Sequence, residues 1–389
     1  MAMPQTSARF DPSQDAAALL RRLGFVALMV GVPLTAYAGP GGILVAGALG
    51  AALLAIAALL DRDARRPSAN LSALSQSAAV LALAVLVTWT GLSLAWTPAQ
   101  RSALGGFAGF GAVLGGLLVT YLALPDRMRS ANLYLLPIGT ALAASLGLVL
   151  GALSGPADGD LARRVARGLS VVVLFTWPAV AWLRSRGRDL EAAALAVLVA
   201  AAASVGAGPA VLAALALGAA AYLLAQVPGR AGRLVPGVAL AALVVAAPLV
   251  VASGQVADLA AWRPLLLGEP VRLLTGHGFV SLPGQVAARL PAGTLGAVWY
   301  ELGIVGALAV ATAAVSVVAA PPASHPALPP SVAAALATAG VLALSGPGQG
   351  APWRIVALAV VALSFLAAER GQFRTRRPRA AIFGRARQA

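Results

Sequence analysis

The sequence predicts an all-α, polytopic integral membrane protein with about twelve transmembrane helices and one long extracytoplasmic loop. Two observations lead to this fold class. The chain is 60% hydrophobic and only 11% charged, whereas soluble domains carry about 25% charged residues. Apolar runs of membrane-spanning length also recur along the whole chain, with most charges confined to the connectors between them. An ordinary soluble domain is therefore excluded.

The apolar runs can be taken in order, because a helix needs about 20 apolar residues to cross a bilayer. A polar segment, 1–22, precedes the membrane domain, 23–368, and a basic tail, 369–389, follows it. Arginine-bearing connectors separate many of the runs, and the runs at 190–204 and 209–227 could instead form a re-entrant pair, because the first of them is short. The twelve expected crossings are 23–38, 41–60, 75–95, 102–124, 133–153, 168–183, 190–204, 209–227, 235–252, 296–320, 331–345 and 352–368.

The arginines predict how these helices are oriented. The chain contains no lysine, so all 28 cations are arginines, and 20 of them fall in alternate connectors and the two terminal segments. Positive residues accumulate on the cytoplasmic side of membrane proteins. The distribution therefore predicts a multi-pass protein of the bacterial inner membrane with both termini in the cytoplasm. The long loop, about 253–295, then faces the periplasm.

Composition excludes several kinds of site. There is no cysteine, so a disulfide, a cysteine nucleophile and a cysteine-ligated zinc ion are excluded. His277 and His325 are too few and too far apart in sequence for a zinc site, and no metal or cofactor is expected. The net charge of +15 comes largely from arginines in loops and in the tail. It therefore predicts contact with membrane lipid rather than with nucleic acid.

The segment 258–306 concentrates polar residues, including a Gly-His-Gly-Phe turn at 276–279.

Eight arginines are expected on the periplasmic side of the membrane, where the orientation rule predicts few positive residues. Either long loops tolerate them freely, or their guanidinium groups form an anion site, because guanidinium suits bidentate contact with phosphate. These arginines are Arg101, Arg163, Arg164, Arg167, Arg263, Arg272, Arg289 and Arg354.

Four stretches stand out, in order, at 91–104, 166–168, 262–279 and 290–308, and in their order and spacing they resemble the O-antigen ligase and polymerase family. A fifth stretch, 345–358, contains Gln349 and Trp353 and is similar more loosely. The resemblance covers roughly 71–366. The four stretches are GLSLAWTPAQRSAL at 91–104, Ala166-Arg167-Gly168 at the start of an apolar helix, Trp262-Arg263 followed by RLLTGHGF at 272–279, and LPAGTLGAVWYELGIVGAL at 290–308.

The resemblance implies a membrane glycosyltransferase fold of the C type and a role in surface polysaccharide assembly. The donor would be a glycan on undecaprenyl diphosphate, and the acceptor would be lipid A–core or a growing glycan. Such a transfer needs a base for the acceptor hydroxyl and positive charge for the diphosphate leaving group. It needs no metal or nucleotide.

The sequence departs from the family pattern at three positions. The family's His-Asn, which lies before the Glu-Leu-Gly stretch and supplies the candidate base, corresponds here to Ala292 and Gly293. The family's Ser-Arg-Gly corresponds to Ser204-Val205-Gly206. An arginine often found before the loop tryptophan is replaced by Asp258. These replacements predict an altered or impaired transfer mechanism.

Two residues are candidates for the catalytic base. His277 carries an imidazole, which titrates near neutral pH, although a histidine between two glycines is also an ordinary exposed turn residue. Glu301 either contacts the acceptor or is a carboxylate favoured by the helix dipole. Cations and aromatic rings could hold a diphosphate or stack on sugars, or else form salt bridges and anchor helices. These substrate-binding candidates are Arg263, Arg272, Arg167, Arg101, Trp262 and Trp299.

Three functions are compatible with these features. The first is an O-antigen ligase-like enzyme that uses an altered base. The second is a non-catalytic relative that binds a glycan-lipid. The third is a transporter or permease, which is disfavoured because the predicted helix interiors are almost free of ionisable residues. No paired broken helices or internal repeat are evident either.

Overall fold

The structure is a computed structural model that describes residues 12–61, 76–125, 128–154, 159–227, 230–253, 262–281, 294–320, 325–345 and 352–371. Within these ranges every regular element is helical and no strand occurs, which confirms the all-α prediction. The segment Ala27–Gly31 is π-helical. The helices are α1 (Pro12–Val26), α2 (Val32–Thr35), α3 (Pro40–Leu60), α4 (Ala78–Ser93), α5 (Gln100–Ala123), α6 (Ser130–Leu133), α7 (Leu135–Leu153), α8 (Gly159–Ser185), α9 (Asp189–Gly206), α10 (Pro209–Leu224), α11 (Arg230–Ser253), α12 (Arg263–Leu267), α13 (Arg272–Thr275), α14 (Thr294–Ala319), α15 (Leu328–Ser345) and α16 (Pro352–Arg370).

Nine helical stretches in the described ranges are long and apolar enough to cross a membrane. One of them joins α1 to α2, and another joins α6 to α7. The remaining seven are α3, α5, α8, α9, α14, α16 and most of α11. Three shorter apolar helices, α4, α10 and α15, correspond to the other three predicted apolar runs. Each of the twelve predicted runs thus corresponds to a helix, and the chain is a polytopic membrane protein.

The first helix begins earlier than its apolar run predicts. It starts at Pro12 rather than at residue 23, because proline is favoured in the first turn of a helix. Asp15 in the first turn also interacts favourably with the helix dipole. Arg21 of α1 is anchored by Asp61, which follows α3, at an N–O distance of 2.7 Å. Polar residues therefore extend α1 beyond the apolar segment.

Helix α8 is the centre of the largest apolar core. Nearly every residue from Gly168 to Leu183 is buried, including Trp177 and Trp182. The helix packs against α7, α9, α15 and α16. Pro178 lies inside the helix without ending it. A helix that is apolar on all sides is expected to be buried in this way.

Helix α14 is the centre of a second, smaller apolar core that includes α11 and α12. Trp262 precedes α12 and lies in this core, as do Val244 and Ala307. The Nε1 of Trp299 donates a hydrogen bond to the carbonyl of Val244 over 2.7 Å. Helix α14 also packs against α4 and α13. This core supports the polar segment identified in the sequence.

Helix ends that were expected to share one side of the membrane meet in the structure. Arg186, just after α8, donates to the hydroxyl of Ser130 at 2.6 Å and to the carbonyl of Gly371 at 3.1 Å. At the other end of the molecule, Arg354 of α16 donates to the hydroxyl of Thr294 at the start of α14, over 3.1 Å. These contacts agree with the predicted alternation of helix direction.

Candidate functional site

Helix α14 is interrupted at Gly303, which has a φ of 62° and a ψ of −155°. This backbone conformation is open to glycine and unfavourable for other residues. The interruption leaves the preceding carbonyl groups without their usual partners in the helix. Donors from elsewhere in the chain bind them instead. The backbone N–H of His277 donates to Tyr300, the N–H of Gly278 to Glu301, and the indole of Trp89 to Leu302, over 2.8, 3.0 and 2.8 Å.

Glycine is required where the Gly-His-Gly-Phe turn meets the interrupted helix. Gly276 and Gly278 have φ values of 73° and 99°. A Cβ atom on Gly276 would overlap the carbonyl oxygen of Glu301, and one on Gly278 would lie 2.7 Å from the Cα of Thr97. A Cβ atom on Gly303 would lie 2.7 Å from the backbone nitrogen of Gly276. The backbones are therefore too close for any side chain at these three positions.

The end of α4 and the residues after it hold the other side of the turn. Phe279 donates its backbone N–H to the Oγ of Ser93 over 3.1 Å. Its carbonyl accepts a hydrogen bond from the Oγ1 of Thr97 over 3.0 Å. We call Ser93, Thr97, residues 276–281 and residues 300–303 the turn junction. It brings together three of the four stretches that carry the family resemblance.

His277 stacks on the ring of Tyr300, with ring centroids 4.1 Å apart and an angle of 9° between the planes. Its Nδ1 lies 3.1 Å from the carbonyl oxygen of Tyr300. A carbonyl oxygen can only accept, so this contact favours the tautomer with the proton on Nδ1 and a lone pair on Nε2. Nε2 lies 3.8 Å from a carboxylate oxygen of Glu269. With 19% of its side chain exposed, His277 is more enclosed than an ordinary exposed turn residue.

Glu301 lies at the interruption of α14 and is half-buried. Its carboxylate accepts a hydrogen bond from the backbone N–H of Val280. Val280 has a φ of 53°, which is strained for a β-branched residue. The carboxylate thus binds a strained part of the same turn that carries His277. Strained backbone of this kind often accompanies functional sites.

The predicted arginines do not converge on the turn junction as one group. Arg272 is 44% exposed and lies 3.6 Å from Glu269, which matches the salt-bridge alternative to substrate binding. Arg263 is exposed on α12. Arg167 is half-buried on α8, which packs against a different set of helices from those that support the turn. Of these three arginines, only Arg272 is linked to the junction, through Glu269.

Arg101 lines a depression of about 530 Å³ beside the turn junction, formed by residues 97–102. Thr97 belongs both to this depression and to the junction. Arg101 is exposed in the first turn of α5, and the preceding Ala99 provides no side-chain cap for that helix. Uncapped N–H groups at a helix start are favourable for an anion. The depression and the junction are therefore adjacent polar surfaces.

Trp262 and Trp299 are packing residues in this structure. They are 1% and 5% exposed, and Trp262 lies so close to Gly296 that a Cβ atom there would collide with its ring. Neither ring presents a face on which a sugar could stack. Their burial favours the anchoring alternative for these two residues over sugar stacking. Apolar burial against α11 and α14 accounts for their positions.

Other residues of the site were not singled out from the sequence. Trp89 and Ser93 hold the junction from α4, and Glu269 links His277 to Arg272. The motif at 91–104 contains Ser93 and so gave a partial signal.

Arg354 is half-buried and has Thr294 as its hydrogen-bond partner. Nothing in its local sequence distinguishes it from the other arginines of the same predicted side.

Several predicted features lie outside the described residues. They include Asp258, Arg289 and the pair Ala292 and Gly293, which stand where the resembling family keeps its base. Among the described residues, no cluster of three histidine or acidic side chains could hold a metal ion. Comparison with protein-family models, with curated proteins and with solved structures finds no match to the chain.

Proposed function

We propose that the protein is an O-antigen ligase-like membrane protein of glycosyltransferase C type, which transfers or polymerises a glycan carried on undecaprenyl diphosphate. One observation carries the proposal. Three of the stretches that resemble the ligase family, up to 186 residues apart in sequence, are hydrogen-bonded to one another in the turn junction. This convergence of the three stretches on one polar region is what supports the proposal.

In the proposed reaction, a hydroxyl oxygen of lipid A–core or of a growing glycan attacks the anomeric carbon of the donor. The bond from that carbon to the diphosphate oxygen breaks, and its electron pair leaves with the lipid diphosphate. The hydroxyl proton passes to Nε2 of His277, which is free to accept it because Nδ1 is held by Tyr300. Glu269 then stabilises the imidazolium from 3.8 Å away.

Arginines of the same region supply positive charge for the leaving diphosphate. Arg272 makes one long ion pair, with Glu269 at 3.6 Å, and is well exposed, so it keeps donors for a second anion. Arg101 provides a further cation at the depression beside Thr97. Arg263 is exposed on the neighbouring helix α12. Glu301 holds the turn through Val280 and so positions His277.

A non-catalytic glycan-lipid-binding protein is the second candidate. It is favoured by the residues Ala292 and Gly293, neither of which can accept a proton in place of the family's histidine. A transporter is the third candidate, favoured by the interruption of α14, because broken helices form substrate sites in many carriers. The carbonyl groups at this interruption are already hydrogen-bonded to protein donors. A site for a coupling ion at these carbonyls is therefore disfavoured.

The test is genetic complementation of a strain that lacks the gene. We expect the deletion to abolish ligated or polymerised surface polysaccharide and to accumulate lipid-linked glycan. His277→Gln should fail to restore the polysaccharide, whereas His325→Gln, the matched control at the other histidine, should restore it. Normal polysaccharide in the deletion strain would refute the proposed function. Full restoration by His277→Gln, with a clear deletion phenotype, would remove His277 as the base.

A further inference from the structure

Four candidate membrane spans end or begin around one group of arginines, at the opposite end of α16 from Arg354. Arg186 follows α8, and its Nη2 donates to Ser130 at the start of α6 and to the carbonyl of Gly371 after α16. Arg370 is the last residue of α16, and its Nη1 donates to the carbonyl of Leu124, just after α5, over 2.9 Å. The spans of α5, α6–α7, α8 and α16 thus reach the same level here.

Aromatic rings hold these arginines in fixed positions. The guanidinium of Arg186 lies over the ring of Trp182 at 4.3 Å, and that of Arg188 lies over the ring of Tyr134 at 5.0 Å. The two rings pack edge to face, 5.9 Å apart. Cation–π contacts of this length restrict the guanidinium without neutralising its charge. The cations are therefore held in place rather than free in solvent.

The charges of Arg186 and Arg370 lack counterions among the described residues. Both side chains are half-buried, and their hydrogen-bond partners are a hydroxyl and backbone carbonyls, which are neutral. Of the nearby acids, Glu191 pairs with Arg188 at 3.5 Å. Asp189 pairs with Arg184 at 2.9 Å. Glu369 is exposed and pairs with neither Arg186 nor Arg370. Partly buried charges of this kind normally have an ionic partner.

Free donors also remain on both guanidinium groups. Arginine has five N–H donors, and the hydrogen bonds of Arg186 and Arg370 use only one nitrogen of each. The Nε of Arg186 is buried without a partner. An anion with several oxygens could accept from these donors in the bidentate manner that guanidinium groups favour. Phosphate has this geometry.

We infer that Arg186, Arg188 and Arg370 form a binding site for the phosphate of an anionic phospholipid headgroup. The level of the site favours a lipid over a dissolved anion, because the ends of four membrane spans and the partly exposed ring of Tyr134 lie there. Aromatic rings and arginines at span ends are typical of the headgroup region. Basic pockets between transmembrane helices bind anionic headgroups by the same chemistry. The site is separate from the turn junction and does not depend on the proposed glycan transfer.

The experiment uses the purified full chain in detergent, with titrations of phosphatidylglycerol, phosphatidylcholine and inorganic phosphate monitored by native mass spectrometry and thermal unfolding. We expect phosphatidylglycerol to bind and to raise the unfolding temperature. Phosphatidylcholine and inorganic phosphate should do so far less. Equal binding of phosphatidylcholine would overturn the inference, because it would show no preference for anionic lipid. Equal stabilisation by inorganic phosphate would overturn the assignment to lipid.

Variants then locate the site. Arg188→Gln and Arg370→Gln should each weaken phosphatidylglycerol binding by about five-fold, the loss expected for one cation near an anionic headgroup. Arg163→Gln is the matched control, because Arg163 is an exposed arginine of α8 that pairs with Asp160 at the opposite end of that helix. The affinity of the Arg163→Gln protein for phosphatidylglycerol should not change. Arg188 is exposed, so Arg188→Gln is expected to fold even if Arg370→Gln does not. Unchanged binding in Arg188→Gln would overturn the inference.

Discussion

Helices α8 and α14 are both central to the molecule, but different interactions hold them. Helix α8 is continuous from Gly159 to Ser185, and apolar neighbours cover almost all of its second half. Helix α14 is interrupted at Gly303 and depends on hydrogen bonds from α4 and from the Gly-His-Gly-Phe turn. One helix supplies almost all of its own backbone hydrogen bonds, and the other depends on donors from distant parts of the chain.

This difference explains why the polar site forms on α14. A continuous helix uses its own carbonyl groups in its hydrogen bonds, so its surroundings can be entirely apolar. An interrupted helix in a membrane protein must obtain donors from other segments, and it is tolerated only where protein or a cavity surrounds it. The interruption therefore gathers Trp89, His277 and Gly278 around Glu301. Disrupting each helix should have a different consequence.

The largest effect is expected where the two backbones of the turn junction touch. Gly276→Val should destabilise the protein by about 3 kcal/mol or more, because it adds a Cβ overlap to a positive φ. It should also abolish surface polysaccharide. Gly115→Ala is the matched control, since no atom lies within 4 Å of the added carbon, and it should be neutral or slightly stabilising. Thermal unfolding in detergent and complementation measure both effects. A stable, active Gly276→Val protein would contradict the close contact.

A cavity in the core around α8 should affect stability without affecting the site. Leu169→Ala removes a fully buried side chain and should cost about 2–5 kcal/mol of unfolding free energy. Because α8 does not belong to the turn junction, polysaccharide formed per folded molecule should stay normal. The measurement combines thermal unfolding with complementation normalised to the amount of folded protein. Loss of activity beyond the loss of folded protein would show that the two regions are coupled.

A pair of tryptophans allows a finer comparison of the two regions. Trp89→Phe removes the donor to the carbonyl of Leu302 at the helix interruption, and should cost about 1–3 kcal/mol. Trp177→Phe removes a donor to Thr338 beside α8. The hydroxyl of Thr338 keeps its bond to Ala214, so this second change should cost less. Unfolding temperatures of the two variants test the order. The reverse order would contradict the dependence of α14 on outside donors.

The smallest effect on stability is expected from an exposed charge near the junction. Arg272→Gln breaks a long, exposed ion pair with Glu269, and such pairs contribute less than about 1 kcal/mol. Its polysaccharide synthesis should nevertheless fall, because the variant removes a cation proposed to hold the diphosphate. Arg163→Gln serves as the control for loss of an exposed arginine. Normal synthesis by Arg272→Gln would exclude a diphosphate-binding role for this residue.

Much of the fold could be predicted from the sequence, because hydrophobic length determines where membrane helices form. The early start of α1 escaped prediction, since Arg21 is stabilised by Asp61 of another segment. The interruption at Gly303 escaped it too. Apart from Glu301, the residues next to Gly303 are apolar, and the donors that permit the break lie far away in the chain. Apolar length predicts where a helix forms but does not reveal its tertiary partners.

The candidate site was only partly predictable. The segment with His277 and Glu301 stood out because its residues departed from the apolar background, and the stretch with Thr97 stood out by its family resemblance. It also suggested Trp262 and Trp299 as sugar-binding residues, although both rings are buried. An aromatic residue at the end of a loop has the same sequence signal whether it packs inward or faces solvent. The depth of a side chain depends on the packing of α11 against α14, which a single sequence does not specify.

The hydrogen bond between Trp89 and Leu302 joins residues that are 213 positions apart, and this separation sets an order of assembly. Helix α4 leaves the ribosome long before α14 does. At a synthesis rate of about 5–20 residues per second, it waits on the order of ten seconds or more for its partner. By contrast, α8 finds α7 and α9 on either side of it in the sequence. The contacts of α8 with α7 and α9 can therefore form early in translation, whereas the turn junction waits for α14, and the contacts of α8 with α15 and α16 form later still.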